Sequence, residues 1–566
     1  MYTIAKNVQI VIALLKGHGI NQLVLNPGGT NAAFIRGVQD DPFFHCYSIV
    51  DERSALYFAI GLYLSTGSTV AVCCTSAQAT RNFIPGLTEA FYKHVPILAI
   101  TFSKHPRYTY QDYMQAPDQT SLPRDAVRAT YSLPYISNEQ DVLFCERLVN
   151  EAILDLTHHE PAPVQLNVPM LDTELTTDID VSLPSVKVIQ RYSLKEIGEF
   201  DTNNKRILIV VGENRGIRDN ALVEFSNKSN SVIYVNHLSN LRNDYTVFGN
   251  RLLSSISQEY FDERLCPDIL ITIGGQTGDY PLFHKLSGSK RNFEHWRISP
   301  QGNVVDTYDH LTRVVETEVE EFFSHIRNIE NEGGYLVTWK NAINELSKTV
   351  DIPLSAAFVA QQMCEKIPVN SYVNFSILNS LRTWNLFPIK NKVKCFCNVG
   401  AFGIDGCLST FLGQSVCVDE LCFMFIGDLS FFYDMNSLGI KYIKNNVRII
   451  LINNNGGIEF KLGGDKDKNK VIDNYIAAAN HFKNAEGWSE TNGFDYCKIT
   501  TKEQLLNKVE ILVSESTKPI LCEVFTTDLD EAFAYKALVR RLDTKNKIQR
   551  VKDAFNNRIK RVFNKA

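Results

Sequence analysis

Short apolar runs alternate with segments of helical periodicity along most of the chain. Turn-forming Gly, Pro, Asn or Asp residues close many of these runs. Strands separated by helical segments are typical of a parallel, doubly wound sheet with helices on its faces. The runs predict strands at 22–25, 46–50, 69–75, 97–102, 164–169, 207–211, 232–235, 269–273, 422–426, 447–452 and 520–525. The sequence therefore predicts an α/β protein.

The length of the chain points to several domains. At roughly 100–200 residues per domain, 566 residues correspond to three or four. We predict three doubly wound parallel-sheet domains at 1–182, 183–348 and 349–535, followed by a basic C-terminal helix at 536–566. The middle domain contains Gly274-Gly275 but no complete Gly-x-Gly-x-x-Gly motif. We therefore expect no bound flavin such as FAD.

The last stretch of the chain differs in composition from the rest. Between Lys536 and Lys565 there are eleven Lys or Arg residues and two Asp residues. Apolar residues recur there at steps of three and four, which places them on one helix face. They are Ile548, Val551, Phe555, Ile559 and Val562. Two interpretations stay open: this amphipathic helix packs on its own protein with a solvated basic face, or it binds an anionic membrane surface or an acidic partner.

The overall composition excludes some classes of protein. A hydrophobic fraction of 44% and a charged fraction of 21% are ordinary for a globular protein, and a net charge of −5 gives no indication of nucleic-acid binding. The thirteen Cys residues are scattered and form no Cys-x-x-Cys pair. Free thiols of this kind fit the reducing cytoplasm, where we expect the protein to be located. No apolar run is long enough to span a membrane.

Candidate chemistry lies at the ends of two of the predicted strands. The strand at 422–426 ends on Gly427-Asp428-Leu429-Ser430, and the strand at 447–452 ends on 453–457, Asn-Asn-Asn-Gly-Gly. Ligands of open α/β sheets bind at such carboxyl ends. Carboxylate, amide and carbonyl oxygens are the ligands that Mg²⁺ prefers. Ser430 is expected to cap the helix that follows the first of these segments. The alternative is that both segments are ordinary turns.

The spacing from Gly-Asp to Asn-Asn resembles the diphosphate motif of thiamine diphosphate (ThDP) enzymes. The resemblance implies that ThDP is bound together with Mg²⁺ or Mn²⁺. It implies that Asp428 and Asn454 are side-chain metal ligands and that Gly456 offers its carbonyl. The neighbouring Gly427, Leu429 and Ser430 are expected to contact the cofactor.

A ThDP enzyme also needs a carboxylate that protonates the cofactor's pyrimidine ring. Glu52 follows an apolar strand and precedes a helix rich in Ala, Leu and Phe, where burial would raise its pKa. Taken alone, Glu52 is better explained as an ordinary acidic residue at a helix N-terminus. The segments around it, however, resemble the pyrimidine-binding domain of the ThDP decarboxylase and carboligase superfamily. These segments are Asp51-Glu52-Arg53, Gly61-Leu62, Thr75-Ser76, 85–90 and 163–169.

Within that superfamily the motifs look closest to those of the SEPHCHC synthases of menaquinone biosynthesis, which join decarboxylated 2-oxoglutarate to isochorismate. The matching segments are 427–431 with Asp434 and Asn436, 453–457, 403–406 and 408–410. The resemblance implies a homodimer or homotetramer in which Glu52 of one chain faces Asp428 of another. It also implies that Ile404 is the apolar residue under the bent cofactor.

The positions at which this family binds its carboxylated substrates are changed. They are Gly29-Thr30, Lys104-His105, Met114, Val399 and Asp279-Tyr280, whereas Gln115 is retained. Losing several charge-assisted hydrogen bonds of roughly 1.5–3 kcal/mol each should weaken binding of both substrates by orders of magnitude. We therefore expect a paralogue that takes a 2-oxo acid and a less anionic carbonyl or enone acceptor.

Several residues are candidates for substrate contact. The substrate candidates are Thr30, Gln78, Asn379 and Arg382, and the further catalytic candidates are His105 and Gln115. His105 can transfer a proton near neutral pH, but it is equally a surface histidine beside a proline.

The predicted function is that of a ThDP- and Mg²⁺-dependent 2-oxo acid decarboxylase or carboligase that forms C–C bonds through an enamine. One alternative is SEPHCHC synthase activity itself. Another, of a different class, is a non-catalytic scaffold with the ThDP fold.

Overall fold

Three sheets of parallel strands organise the chain in the computed structural model. It describes residues 2–171, 178–179, 182–214, 216–326, 333–347, 349–390, 392–462, 471–540 and 542. The chain divides into one unit of Met1–Ser193 with Pro300–Glu316 and a second of Leu194–Ser299 with Thr317–Ala566. The predicted α/β fold is confirmed. The amphipathic stretch at 548–562 lies outside the described residues.

The first unit is built on six parallel strands. Their order across the sheet is His45–Ser48, Gln22–Leu25, Val70–Cys74, Ile97–Lys104, Val164–Met170 and Thr130–Ser132. Val70–Cys74 is buried along its whole length, as expected of an apolar strand covered on both faces. The first strand ends at Ser48, before the predicted residue 50, and Val50 is 81% exposed.

Helices and two smaller strand pairings complete the first unit. The helices are Lys6–Gly17, Ala32–Gln39, Glu52–Thr66, Gln78–Asn82, Ile84–Tyr92 and Glu139–Asp155. Gln190–Ser193 pairs in parallel with Leu311–Glu316, and Tyr2–Thr3 pairs antiparallel with Asp178–Ile179.

The second unit contains the strands of the middle domain. Five of them pair in parallel in the order Thr246–Phe248, Ser231–Val235, Ile207–Val211, Ile269–Ile273 and Glu294–Ile298. The apolar strand Ile207–Val211 is buried throughout. The helices of this stretch are Asp219–Lys228, Asn250–Ser255, Gln258–Tyr260, Tyr280–Ser287, Val319–His325 and Tyr335–Asn344.

The second unit also contains the sheet on which the predicted metal residues lie. Its six parallel strands follow the order Lys394–Cys397, Tyr372–Phe375, Cys422–Gly427, Val447–Asn453, Ile520–Phe525 and Asp495–Ile499. The accompanying helices are Ala356–Met363, Asn379–Trp384, Cys407–Ser415, Asp428–Tyr433, Glu486–Thr491, Lys502–Leu512 and Asp528–Leu538. In the part of the chain that the structure describes, no helix is long and apolar enough to cross a membrane.

Candidate active site

Asp428 lies where the two central strands of the last sheet end. Gly427 pairs with Ile452 in the adjacent strand, so the turns that follow these strands meet at one sheet edge. The Asp428 side chain is 2% exposed, and its Oδ2 accepts backbone hydrogen bonds from Asn454 at 3.0 Å and Gly456 at 3.1 Å. Its Oδ1 accepts from Leu429 N–H at 2.7 Å. The carboxylate is thus fixed against the segment that carries the other two predicted metal ligands.

The turn after Val447–Asn453 requires its glycines. A Cβ on Gly456 would lie 2.8 Å from Ala479 Cα, and one on Gly457 would lie 3.1 Å from Ala477 O. Gly457 N–H also donates to Ala477 O at 2.6 Å. The two glycines therefore let the segment around Ala477 lie directly against this turn.

Three oxygen donors of the kind that Mg²⁺ prefers are available in this turn. Asp428 supplies a buried carboxylate, Gly456 a backbone carbonyl, and Asn454 a half-buried side-chain amide. The Asn454 amide has no hydrogen-bond partner among the described residues. The donor set thus fits a magnesium ion that also holds a diphosphate. The metal and cofactor roles of these residues stay predictions.

Ser430 does not cap the following helix, contrary to the sequence-based expectation. The helix begins at Asp428, so Ser430 lies within its first turn. Its Oγ instead donates to the carbonyl of Ile404 at 2.6 Å. This bond ties Ile404 to the Asp428 segment, because Ser430 and Asp428 share one short helix.

Ile404 lies half-buried in a tight loop before the helix Cys407–Ser415. Gly406 has a φ of 73°, and a Cβ on Gly403 would lie 2.3 Å from the Asp405 carboxylate. At the start of the helix, Ser409 donates from its N–H and its Oγ to Asp434, both at 2.7 Å. The loop is therefore fastened to the Asp428 segment at two points.

His481 was not predicted as a site residue, although it lies beside the Asp428 carboxylate. Its Nε2 is 3.3 Å from Asp428 Oδ2, and its Nδ1 accepts from Lys483 N–H at 3.0 Å. Because Nδ1 accepts, the neutral ring carries its proton on Nε2, and this buried nitrogen has no hydrogen-bond partner among the described residues. Nothing in the sequence pattern links His481 to Asp428.

Glu52 is the first residue of the helix Glu52–Thr66 in the first unit, and Asp51 caps that helix by accepting from Ser54 N–H at 3.2 Å. Asn82 Nδ2 donates to Glu52 Oε2 at 3.1 Å. Glu52 is half-buried, so the burial expected for this carboxylate is incomplete in the chain by itself.

Thr30 and Gln78 follow the neighbouring strands Gln22–Leu25 and Val70–Cys74 of the first unit. Thr30 is buried, and its Oγ1 is 3.0 Å from Ser76 Oγ. Gln78 begins a short helix at the surface, after Ala77, which has a φ of 70°. The hydroxyl of Thr30 is thus already hydrogen-bonded within the protein.

His105 and Gln115 lie in the segment that follows Ile97–Lys104. His105 is half-buried, its Nδ1 accepts from Arg107 N–H at 3.2 Å, and its ring meets the edge of Tyr135. Gln115 is exposed and lines an open cavity of about 700 Å³ together with the stacked rings of Tyr108 and Tyr113.

Gln119 is a buried residue of the same segment that the sequence did not single out. Its Oε1 accepts from Ala77 N–H at 2.9 Å, and its Nε2 donates to Phe102 O at 3.1 Å and Asn167 Oδ1 at 3.2 Å. Gln119 therefore fixes the turn that presents Gln78.

Asn379 and Arg382 share the helix Asn379–Trp384, and both are half-buried. The Arg382 guanidinium binds both oxygens of the Glu459 carboxylate, at 2.7 and 2.6 Å. It also lies over the ring of Tyr280, 5.5 Å from the ring centre. Arg382 is thus engaged within the protein, and its contact with substrate stays a prediction.

Comparisons with known proteins agree with this geometry. The family model described as "Thiamine pyrophosphate enzyme, N-terminal TPP binding domain" matches residues 6–122. Three curated relatives are each named 2-succinyl-5-enolpyruvyl-6-hydroxy-3-cyclohexene-1-carboxylate synthase. The protein of Phocaeicola vulgatus is 34% identical, over 96% of this chain and 100% of the relative. The protein of Bacteroides thetaiotaomicron is 33% identical over the same shares, and that of Flavobacterium psychrophilum is 28% identical over 92% and 95%.

Proposed function

The chain belongs to the family of 2-succinyl-5-enolpyruvyl-6-hydroxy-3-cyclohexene-1-carboxylate (SEPHCHC) synthases among the ThDP-dependent enzymes, and we propose that it is a member with a different acceptor. It is an enzyme of the ThDP-dependent transferase or lyase type that acts on a small 2-oxo acid and forms C–C bonds. The proposed acceptor is a carbonyl or enone compound less anionic than isochorismate.

The pairing of Arg382 with Glu459 carries this proposal. An arginine recognises a carboxylate by donating two parallel hydrogen bonds, and Glu459 already occupies both of those donors. An anionic substrate at this position would have to displace Glu459, which is 21% exposed, from its partner. The environment of Arg382 therefore favours an uncharged substrate group.

The other changed positions support the same conclusion. Val399 is buried and apolar, at 2% exposure. Asp279 is also buried and accepts from Leu282 N–H, Tyr234 Oη and Asn250 Nδ2 at 2.7–3.0 Å. Neither position presents a cation to a substrate.

Few protein groups are needed for the chemistry that the bound cofactor supplies. When bound, ThDP supplies the electron sink for the carbanion that decarboxylation leaves. Asp428, Asn454 and the Gly456 carbonyl would hold Mg²⁺ with the diphosphate. Ile404 would support the cofactor from below, and Glu52 would hold a proton at its pyrimidine ring nitrogen.

A dimer or tetramer is part of the proposal. Large apolar side chains lie exposed on or beside the helix that Glu52 begins. They are Val50, Tyr57, Phe58 and Leu64, with exposures of 81%, 46%, 40% and 63%. An exposed apolar patch of this kind marks an interaction surface. A second copy of the chain on this surface would also complete the burial of Glu52.

The decisive experiment compares acceptors on the enzyme loaded with ThDP and Mg²⁺. We expect kcat/KM for isochorismate with 2-oxoglutarate to fall at least about 1,000-fold below that of the Phocaeicola vulgatus relative, measured side by side, because two or more charge-assisted hydrogen bonds are absent. We expect an aldehyde, a keto sugar or a nucleotide-linked sugar to be accepted instead. Product formation from isochorismate at the relative's efficiency would refute the proposal.

The second candidate is SEPHCHC synthase activity itself. It is favoured by 34% identity to a protein of that name over 96% of the chain. The same assay distinguishes the two candidates.

A further inference from the structure

A strongly basic cavity lies in the second unit, lined by residues other than those of the candidate active site. Its volume is about 290 Å³, and it is bounded by His237 and 240–242 on one side and by Asn370, 389–390 and 392–395 on the other. Four basic side chains line it, and no acidic residue is among its lining residues. The basic residues are Arg242, Lys390, Lys392 and Lys394.

Arg242 is the deepest of these cations. Its Nη1 donates to the carbonyls of Leu241 at 2.7 Å and Asn236 at 3.3 Å, and its guanidinium lies 5.0 Å from the Phe248 ring centre. Nε and Nη2 have no hydrogen-bond partner in the described part of the chain, and no described carboxylate forms an ion pair with this residue. Burial lowers the pKa of Arg242 to about 10, so the side chain keeps its charge at neutral pH.

Arg242 is half-buried, and a half-buried cation without a counter-ion has lost part of its hydration without gaining a charge partner in return. An arginine that the backbone holds in place can bind an anion entering from solvent, since its planar guanidinium offers two parallel hydrogen-bond donors. Arg242 has such donors available on Nε and Nη2. Its environment therefore points to an anionic ligand.

His237 lines the same cavity and is itself buried. Its Nε2 donates to the carbonyls of Trp384 at 2.9 Å and Phe387 at 3.0 Å, which leaves Nδ1 as an acceptor. The buried Nδ1 has no hydrogen-bond partner among the described residues. Burial, together with the charge of Arg242, lowers the pKa of His237 to about 3, so the ring stays neutral. His237 therefore adds no charge to the cavity, whose positive charge comes from Arg242 and the lysines.

The backbone around the cavity is held in place without a ligand. Asn240, at a φ of 45°, donates from Nδ2 to Cys395 O at 2.9 Å, and its Oδ1 accepts from Cys395 N–H at 2.7 Å. These two bonds join the segment of Arg242 to the strand that begins at Lys394. The basic side chains thus line a cavity whose two walls are joined by hydrogen bonds within the protein.

We propose that this cavity binds the phosphate group of a small phosphorylated metabolite. A phosphate offers several oxygens to Arg242, Lys390 and Lys394 at once. A volume of about 290 Å³ is at the lower end for small-molecule sites, which fits a phosphate with a short carbon body.

Calorimetric titration of the ThDP- and Mg²⁺-loaded enzyme with inorganic phosphate, at constant ionic strength, tests the proposal. Saturating ThDP keeps phosphate away from the predicted diphosphate site. We expect one phosphate per chain and a rise in melting temperature on binding. Affinity should fall about tenfold in Lys394→Gln and further in Arg242→Met, because each substitution removes a charge that contacts the anion.

Lys441 provides a matched control. Lys394 lies 4.7 Å from the ring centre of Tyr372, and Lys441 lies 5.0 Å from that of Tyr442. Lys394 also donates to Tyr372 Oη at 2.8 Å. Lys441→Gln removes the same charge and a similar contact with an aromatic ring outside the cavity, and should leave phosphate affinity within twofold.

Arg242→Met also distinguishes a role of Arg242 in phosphate binding from a role in stabilising the fold. If Arg242 is a ligand-binding group, the variant without phosphate should be as stable as the wild type or more stable, since a half-buried charge without a counter-ion has been removed. If Arg242→Met does not fold, the phosphate affinity of Lys394→Gln alone tests the proposal. Absence of saturable phosphate binding, equal or stronger binding of succinate, or affinity unchanged in Lys394→Gln would overturn the proposal.

Discussion

The Arg382 guanidinium holds both carboxylate oxygens of Glu459 at 2.7 and 2.6 Å. Arg382 was the one arginine among the predicted substrate residues, and Glu459 lies just beyond the Gly456-Gly457 turn in sequence. The ion pair therefore links the helix Asn379–Trp384 to the segment that follows the predicted metal ligands. It also neutralises a charge that a carboxylated substrate would require.

Replacing Glu459 with Gln should release Arg382 and shift specificity towards anionic substrates. We expect kcat/KM for a dicarboxylic acceptor to rise about tenfold, since one charge-assisted hydrogen bond to the substrate becomes available. Steady-state kinetics with matched charged and uncharged acceptors measure this shift.

The control is Glu510→Gln, which releases Lys366 from a 2.7 Å ion pair between more exposed side chains. It should change neither specificity nor stability appreciably. If Glu459→Gln leaves the ratio of the two kcat/KM values unchanged, Arg382 does not face the substrate.

Removing the Asp428 carboxylate should abolish stabilisation by the cofactor. In Asp428→Ala, the rise in melting temperature caused by ThDP with Mg²⁺ should disappear, because a ligand stabilises only the state that binds it. The apoprotein should lose about 1–3 kcal/mol for each buried N–H of Asn454 and Gly456 left without an acceptor.

Differential scanning fluorimetry with and without cofactor separates these two effects. In the wild type, EDTA should remove the rise and added Mg²⁺ should restore it. Asp419→Ala, at a side chain that is 98% exposed, is the control. A full cofactor-dependent rise in Asp428→Ala would contradict the predicted metal site.

Glu531 should make stability depend on pH. It is buried, and its Oε1 accepts from Ala356 N–H at 2.9 Å and Thr526 Oγ1 at 2.8 Å. Burial raises the pKa of this carboxyl from 4.5 to about 7. The folded state thus holds its proton up to about pH 7, whereas the unfolded chain releases it above about 4.5. Its contribution to stability is fully present below pH 4.5 and is lost as the pH rises to 7.

Glu531→Gln isolates this effect, because glutamine is neutral at every pH. Between pH 4.5 and 7 the free energy of unfolding of the wild type should fall relative to Glu531→Gln, by at most about 3 kcal/mol. Urea titrations of the apoprotein at several pH values measure the difference. A difference that stays constant over this range would show that Glu531 ionises in the folded state as it does in the unfolded chain.

The sequence predicted the central strands well and the edge strands poorly. Ile207–Val211, Ile269–Ile273 and Ile520–Phe525 occupy their predicted positions, because strands covered on both faces are continuous apolar runs. Lys394–Cys397 and Asp495–Ile499, the two edges of one sheet, were missed. They carry polar residues among the apolar ones, so no continuous apolar run marks them.

The residues of the candidate site were likewise predicted only where the local sequence pattern marks them. Asp428 and Asn454 were predicted as site residues because each directly follows an apolar strand, and the structure brings them together. His481 and Glu459 were missed, since the contact of each with Asp428 or Arg382 depends on how the chain folds back and not on local spacing. Ser430 was misassigned because a cap depends on the residue at which the helix begins, and helix ends are poorly determined by pattern alone.

A charge on the apolar surface beside Glu52 should separate the proposed oligomer into single chains. Val50 is 81% exposed, so Val50→Asp changes no packing within the chain, but it would place an unpaired carboxylate in an apolar interface. We expect the mass measured by light scattering to fall to that of one chain at micromolar concentration. Turnover should be lost with it, since Glu52 would no longer face Asp428 of another chain. Val369→Asp, at a site that is 54% exposed in the second unit, is the matched control and should alter neither mass nor turnover. If Val50→Asp remains a fully active oligomer, the interface does not include this surface.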